Sequence, residues 1–158
     1  IRTSRGGLLT WHGPGQLVIY PILTLRTYRL AGPKSYVATL CGAVGAAVSK
    51  LGLNTRYDEH EPGVWTHGTP SRKLASVGVH IHKGVSIHGV ALNLNPDLME
   101  FRKIRPCGME AEVITSVANE LGWSPSVAEM APAVVQQLGL GLGADIEWVT
   151  DHRKLGGL

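Results

Sequence analysis

The chain has 158 residues, 44% hydrophobic and 17% charged, with two cysteines and a formal net charge of +3. That length is enough for one domain with a core that needs no disulfide or metal staple, and the composition argues against a disordered or fibrous chain. The small basic surplus, few aromatics and absence of a Lys/Arg run give no support to nucleic-acid binding, and no apolar run reaches membrane-spanning length.

A glycine-rich block over residues 5–16 (RGGLLTWHGPGQ) opens the chain, and residues 17–20 behind it read as a buried strand, extended to Leu25 despite Pro21. Apolar positions 36, 37, 40, 44, 47, 48 and 51 recur with helical period and predict an amphipathic helix stopped by Gly52. Residues 63–66 read as a short strand. Residues 73–81 and 85–94 are rich in β-formers around His82-Lys83-Gly84, which predicts a hairpin. A helical turn is expected over 96–101 and a helix over 112–121. Ser126 and Glu129 form a capping box for a further helix running to Leu138, although Pro132 falls inside it. Glycines over 139–143 should end that helix, and residues 146–149 read as a last short strand. No repeat and no linker appears, so the expectation is a single α/β (α+β) domain with a mixed sheet and packed helices.

Three histidines invite a metal reading. His80 and His82 alternate on one strand, with His88 across the hairpin, but zinc needs three or four converging ligands and polar residues flanking a hairpin turn are ordinarily solvated. The glycine block matches neither GxGxxG nor GxxxxGK[ST], and a strand rather than a helix follows it, so a phosphate cradle is poorly supported. Two tight turns account for its glycines. They leave the clustering of Arg5, His12 and Gln16 unexplained.

The cysteines differ in setting. Cys41 falls on the predicted helix among apolar neighbours, as a small buried hydrophobe does. Cys107 sits between Pro106 and Gly108, where a shaped turn can present a thiol with backbone N–H groups near a developing oxyanion. With no CxxC pair, the two point to a reducing compartment. Lys73 enters a strand, and residue types alone do not connect it to either thiol.

The ordered motifs add more. Arg5-Gly6-Gly7, Thr10-Trp11-His12-Gly13-Pro14-Gly15-Gln16 and Tyr20-Pro21-Ile22 come first, then Gly63-Val64-Trp65 and Lys73 with Ala75-Ser76 and Gly78-Val79. His88-Gly89, Ala91-Leu92-Asn93-Leu94 and Pro106-Cys107-Gly108 follow. Together they closely resemble the lipoyl(octanoyl) transferases, from Arg2 to about Gly122. The resemblance implies a fold like that of the biotin and lipoate protein ligases (class II synthetase-like). It also implies transfer of an octanoyl group from octanoyl-acyl carrier protein to a lysine of a lipoyl domain, through an acyl-cysteine thioester.

Matched motif to motif, the nucleophile falls on Cys107 and its partner on Lys73. The acyl-binding positions fall on Arg5, Gly6, Gly7, Leu8, Leu9, Thr10, Trp11 and His12, on Ser76, Val77 and Gly78, and on His88, Gly89, Val90 and Ala91. The implied acceptors are lipoyl domains of 2-oxoacid dehydrogenase complexes and the glycine cleavage H protein. No cofactor, metal, nucleic acid or membrane is implied, and the location expected is cytoplasmic, or mitochondrial in a eukaryote. The family carries further sequence before the Arg-Gly-Gly block, so residues 1–158 are expected to be one catalytic domain that is N-terminally incomplete. Two rival readings stand beside this one. The first is an ATP-dependent lipoate protein ligase, whose family has Asp and then Gly-Asn after the histidine, where Gly13-Pro14-Gly15-Gln16 stands here. The second is a truncated relative that binds acyl carrier protein or a lipoyl domain without turnover.

Overall fold

Alternation of apolar with small or polar residues over 73–94 builds the centre of the fold. In the computed structural model, which describes residues 10–104 and 113–149, β4 (Lys73–His82) and β5 (Val85–Asn93) pair antiparallel from Ala75↔Leu92 to His82↔Val85. The turn between them is Lys83-Gly84, both left-handed at φ 49° and 82°, and that geometry matches the twist of the strands it joins. β1 (Gln16–Ile19) adds to the free edge of β5, β3 (Gly63–Thr66) to β4, and β2 (Thr55–Asp58) to β3. The sheet order is β1-β5-β4-β3-β2. These ladders are antiparallel, and the parallel component of the expected mixed sheet is one isolated bridge, Lys73↔Ile114.

Helix α1 (Pro33–Ser49) starts with proline at its first turn, where a missing N–H costs nothing, and Ser35 Oγ accepts from Gly32 N at 3.1 Å. α2 (Val117–Leu121) is capped by Ser116, and α3 (Val127–Leu142) by the predicted box: Ser126 N donates to Glu129 Oε2 at 2.8 Å and Glu129 N to Ser126 Oγ at 3.3 Å. Cys41, Val44, Ala47 and Val48 of α1 and Met130 and Val134 of α3 close over Ala75, Val90 and Leu92 of the sheet. Val77, Val79 and Ile81 also face this side, packed against Tyr36, Leu40 and Leu138. By alternation, Ser76, Gly78 and Ala91 face the other side.

Several predicted boundaries move. The strand expected over residues 17–25 ends at Ile19. Pro21 cannot donate to a ladder, and the chain rejoins the sheet only through the bridge Thr24↔Val85. The first helix spans 33–49 rather than 36–51, and the predicted turn near residue 98 is a 3₁₀ helix, Leu98–Lys103. In the helix expected over 112–121, residue 112 lies outside the described residues and Ile114 is extended against Lys73, so α2 begins only at Val117. α3 passes through Pro132 and the first glycines to stop at Gly143, left-handed at φ 63°. Residues 146–149 form no strand; the chain turns back over α3 instead, with Ile146 lying against Gly139. β2 was not anticipated: its residues, Thr-Arg-Tyr-Asp, are those of a polar edge strand with little alternation to read.

Arg72, just before β4, forks onto Glu120 of α2 through Nε and Nη2, each at 2.9 Å. Burial by itself pushes the Glu120 carboxyl up, but the Arg72 fork and the Thr115 hydroxyl overcome it and hold the group below the ordinary glutamate range. A depressed native value contributes stability that is present above the unfolded value and lost as pH falls through the native one. Glu120→Gln is therefore expected to lower the melting temperature at neutral pH and to flatten its decline in acid. A decline as steep as that of the parent would exclude Glu120 as a source of acid lability.

Candidate active site

On the face of the sheet away from the helices, small residues leave bare backbone. Ser76 lies opposite Ala91 and Gly78 opposite Gly89, so two adjacent pairs on β4 and β5 carry almost no side chain. A shallow cleft opens over them, lined among the described residues by Thr10, His12, Tyr20, Ser76, Val77, Gly78, Gly89, Val90 and Ala91. Gly89 is needed for close approach as well: a Cβ there would lie 2.1 Å from the Ile19 carbonyl oxygen of β1.

Eight of the residues singled out from sequence thus come together in one cleft. Trp11 and His88 do not join its lining but buttress it. The Trp11 ring packs edge-on against buried Phe101, centroids 5.3 Å apart, which braces the 10–12 segment. The His88 ring meets the edge of Tyr20 at 5.7 Å. The sequence reading gave Tyr20 no role, although it sits inside the first motif. Arg5, Gly6, Gly7, Leu8, Leu9 and Cys107 lie outside the described residues.

The crowding of His12 and Gln16 around the glycine turn has a physical cause. Gln16 Oε1 accepts from Gly13 N at 3.1 Å and lies 3.2 Å from His12 Nδ1; Gln16 Nε2 donates to Asn93 Oδ1 at 2.8 Å, and Asn93 Nδ2 to the Thr115 carbonyl at 2.9 Å. A backbone N–H at one end and a backbone carbonyl at the other leave one consistent orientation for both amides. His12 Nδ1 must then donate, which leaves Nε2 as the open ring position of neutral His12. Gly15 completes the turn at φ 85°, where a Cβ would strike the Asn95 carbonyl at 2.3 Å. Asn93 is the member that sequence reasoning missed; its polar side chain directly after the apolar Val90, Ala91 and Leu92 was the available signal.

Lys73 opens β4 and is only 4% exposed, with Nζ 5.1 Å from the centroid of the Trp65 ring. Its carbonyl accepts from Thr115 N at 3.0 Å, so the segment following residue 112 is tied to the strand at this lysine. Lys73 does not line the cleft; it precedes Ser76 by one pair of residues on the same strand. His80 and His82 stack at 6.3 Å, but the register sets His88 against Val79 rather than beside them. Cys41 is 1% exposed, and burial pushes its thiol up to about 12 even though the Lys73 charge pulls the other way.

The fold is similar to that of solved biotin and lipoate protein ligases. Biotin protein ligase from Aquifex aeolicus superposes with a TM-score of 0.63 at 15% identity, over 82% of this chain and 53% of that one. The bipartite lipoate protein ligase of Thermoplasma acidophilum gives 0.63 at 20% identity, over 96% and 62%. In sequence, residues 1–139 match the lipoyl protein ligase A/B catalytic domain, and the chain belongs to that family. Its curated relatives include the octanoyltransferase of Koribacter versatilis, 39% identical over 98% of this chain and 62% of that protein. The chain spans about three fifths of the length of such relatives.

The state of Cys41 is testable. In the native protein its thiol should resist alkylation at pH 8 while unfolded protein is labelled. A raised native value gives stability that is full below the unfolded value, near 9.0, and lost as pH climbs toward about 12. Cys41→Ala should therefore make the alkaline decline of the melting temperature shallower. Rapid native labelling of Cys41 would contradict its burial.

Proposed function

We propose that the chain transfers an octanoyl group from octanoyl-acyl carrier protein to the acceptor lysine of lipoyl domains, including those of 2-oxoacid dehydrogenase complexes and the glycine cleavage H protein. Cys107 is the proposed nucleophile and Lys73 its proton partner. The observation that carries the reading is the cleft itself. It has a floor of Ser76, Gly78, Gly89 and Ala91, further lining from Thr10 and His12, and Lys73 on the strand that contributes to the floor. A groove floored by backbone and methyl groups suits a straight alkyl chain, each buried CH₂ of which contributes about 0.8 kcal/mol. The curated relatives at 38–44% identity are octanoyltransferases, which supports the same chemistry.

In the proposed cycle the Cys107 thiolate attacks the thioester carbonyl of the donor. The acyl–sulfur bond to Cys107 forms as that to the carrier breaks, and the carrier thiolate takes a proton from the Lys73 ammonium. The neutral acceptor amine then attacks acyl-Cys107, gives its proton to neutral Lys73 and releases the thiolate. A cation beside a thiol favours the thiolate, and the near-complete burial of Lys73 keeps water from competing for its proton.

Incubation with octanoyl-acyl carrier protein, followed by mass spectrometry of the intact chain, should find one octanoyl group on the parent and on Cys41→Ser, and none on Cys107→Ser. Lys73→Ala should move the pH midpoint of Cys107 alkylation upward, and Lys73→Arg should impair turnover because a guanidinium does not cycle its proton. Acylation that survives Cys107→Ser would sink the assignment.

The ligase reading is separated by cofactor demand. Transfer from the carrier-bound donor should proceed without ATP. Activity from free octanoate that depended on ATP and magnesium would replace the transferase with a ligase.

A further inference from the structure

We propose that β3 aims the Lys73 ammonium, with Gly63 leaving room for the lysine stem and the Trp65 ring seating its charge, so that both act as positioning residues. The inference rests on the role proposed above for Lys73.

The register between β3 and β4 is the first support. Val64 pairs with Ala75 but Trp65 pairs with Lys73, so Leu74 is the extra residue of a bulge. Bulges re-aim the side chains beside them. In an unbroken ladder Trp65 would face Leu74; the bulge instead brings Lys73 directly across from the indole, with Nζ 5.1 Å from the ring centroid, inside the range of a cation–π contact. The ring is itself fixed: Trp65 is 4% exposed, and its Nε1 donates to the Glu61 carbonyl at 2.9 Å.

Gly63 supplies the second support. A Cβ there would lie 2.5 Å from Lys73 Cε, 3.3 Å from Nζ and 2.6 Å from the Ala75 carbonyl. The lysine stem therefore runs through the volume that any side chain at this position would take. Neither Gly63 nor Trp65 lines the cleft among the described residues. The Gly-Val-Trp motif, otherwise without a role, becomes a mould for one side chain. A lysine has four rotatable bonds, and a proton relay needs them held, since displacement by about 1 Å can cost about a hundredfold in rate.

The test uses Trp65→Leu, Trp65→Phe and Gly63→Ala, each alone and in a Lys73→Ala background. Two quantities are read: the pH dependence of Cys107 alkylation, and octanoyl transfer resolved into kcat and KM. Trp65→Leu and Gly63→Ala should move the alkylation midpoint in the same direction as Lys73→Ala, and should lower kcat about tenfold or more with KM for the donor unchanged. Trp65→Phe, which keeps an aromatic face, should recover most of the loss. In the Lys73→Ala background none should add a further effect, because the residue they position is gone.

Equal losses with and without Lys73 would show a merely structural role and overturn the inference. So would parent-like alkylation in Trp65→Leu and Gly63→Ala when Lys73→Ala shifts it. Should Trp65→Leu fail to fold, Gly63→Ala and Trp65→Phe decide the question by the same criteria. Parent-like behaviour of Lys73→Ala itself would instead bring down the role proposed for Lys73, and this inference with it.

Discussion

A slip of β4 by one residue against β5 would carry Ala75 and Val77 out of the core and bring Ser76 and Gly78 into it. Burial on the helix side therefore holds the register, each large apolar side chain contributing about 1.5–3 kcal/mol. The cleft on the opposite face follows from that same register. Wherever a small residue on one strand meets a small residue on the other, a strip of sheet is left uncovered, and Ser76↔Ala91 and Gly78↔Gly89 are two adjacent meetings of that kind. Packing on one side and a bare-backed cleft on the other are consequences of one pairing.

The polar groups around the groove are organised by backbone. Gln16 and Asn93 are buried amides whose hydrogen bonds begin at the Gly13 N–H and end at the Thr115 carbonyl. Leaving a buried amide unpaired costs about 1–3 kcal/mol, so neither side chain is free to rotate. The consequence for His12 is a set tautomer at the edge of the groove. Thr115 also ties the chain to Lys73 through its N–H and to Glu120 through its hydroxyl, and Glu120 in turn holds Arg72. The groove and the lysine strand thereby share one network.

Lys73 does not make a nucleophile of Cys41. Its charge reaches Cys41, yet burial dominates and that thiol stays protonated up to about 12. Proximity to a cation does not activate a thiol shut away from water; exposure is needed too. Cys41 is accordingly a packing residue of α1, as its place on an apolar helical face suggested.

The hairpin over residues 73–94, α1 and the capping box of α3 were legible in the chain because each is specified locally, by a period of two, a period near 3.6 or a reciprocal cap. Eight cleft residues were legible as well, through the ordered motifs that carry the family resemblance. What the chain could not display were contacts joining distant positions. The polar edge strand β2 exists because β3 offers it a backbone, and residues 146–149 pack against α3 rather than joining the sheet. Asn93 is oriented by Gln16, seventy-seven positions away, and Tyr20 lines a cleft whose floor lies on two other strands. The pairing of Lys73 with Trp65 depends on a one-residue bulge. Periodicity fixes the face a side chain takes within its own element, whereas the neighbour it meets is set by register between elements, and register is decided only when the whole sheet closes on its core.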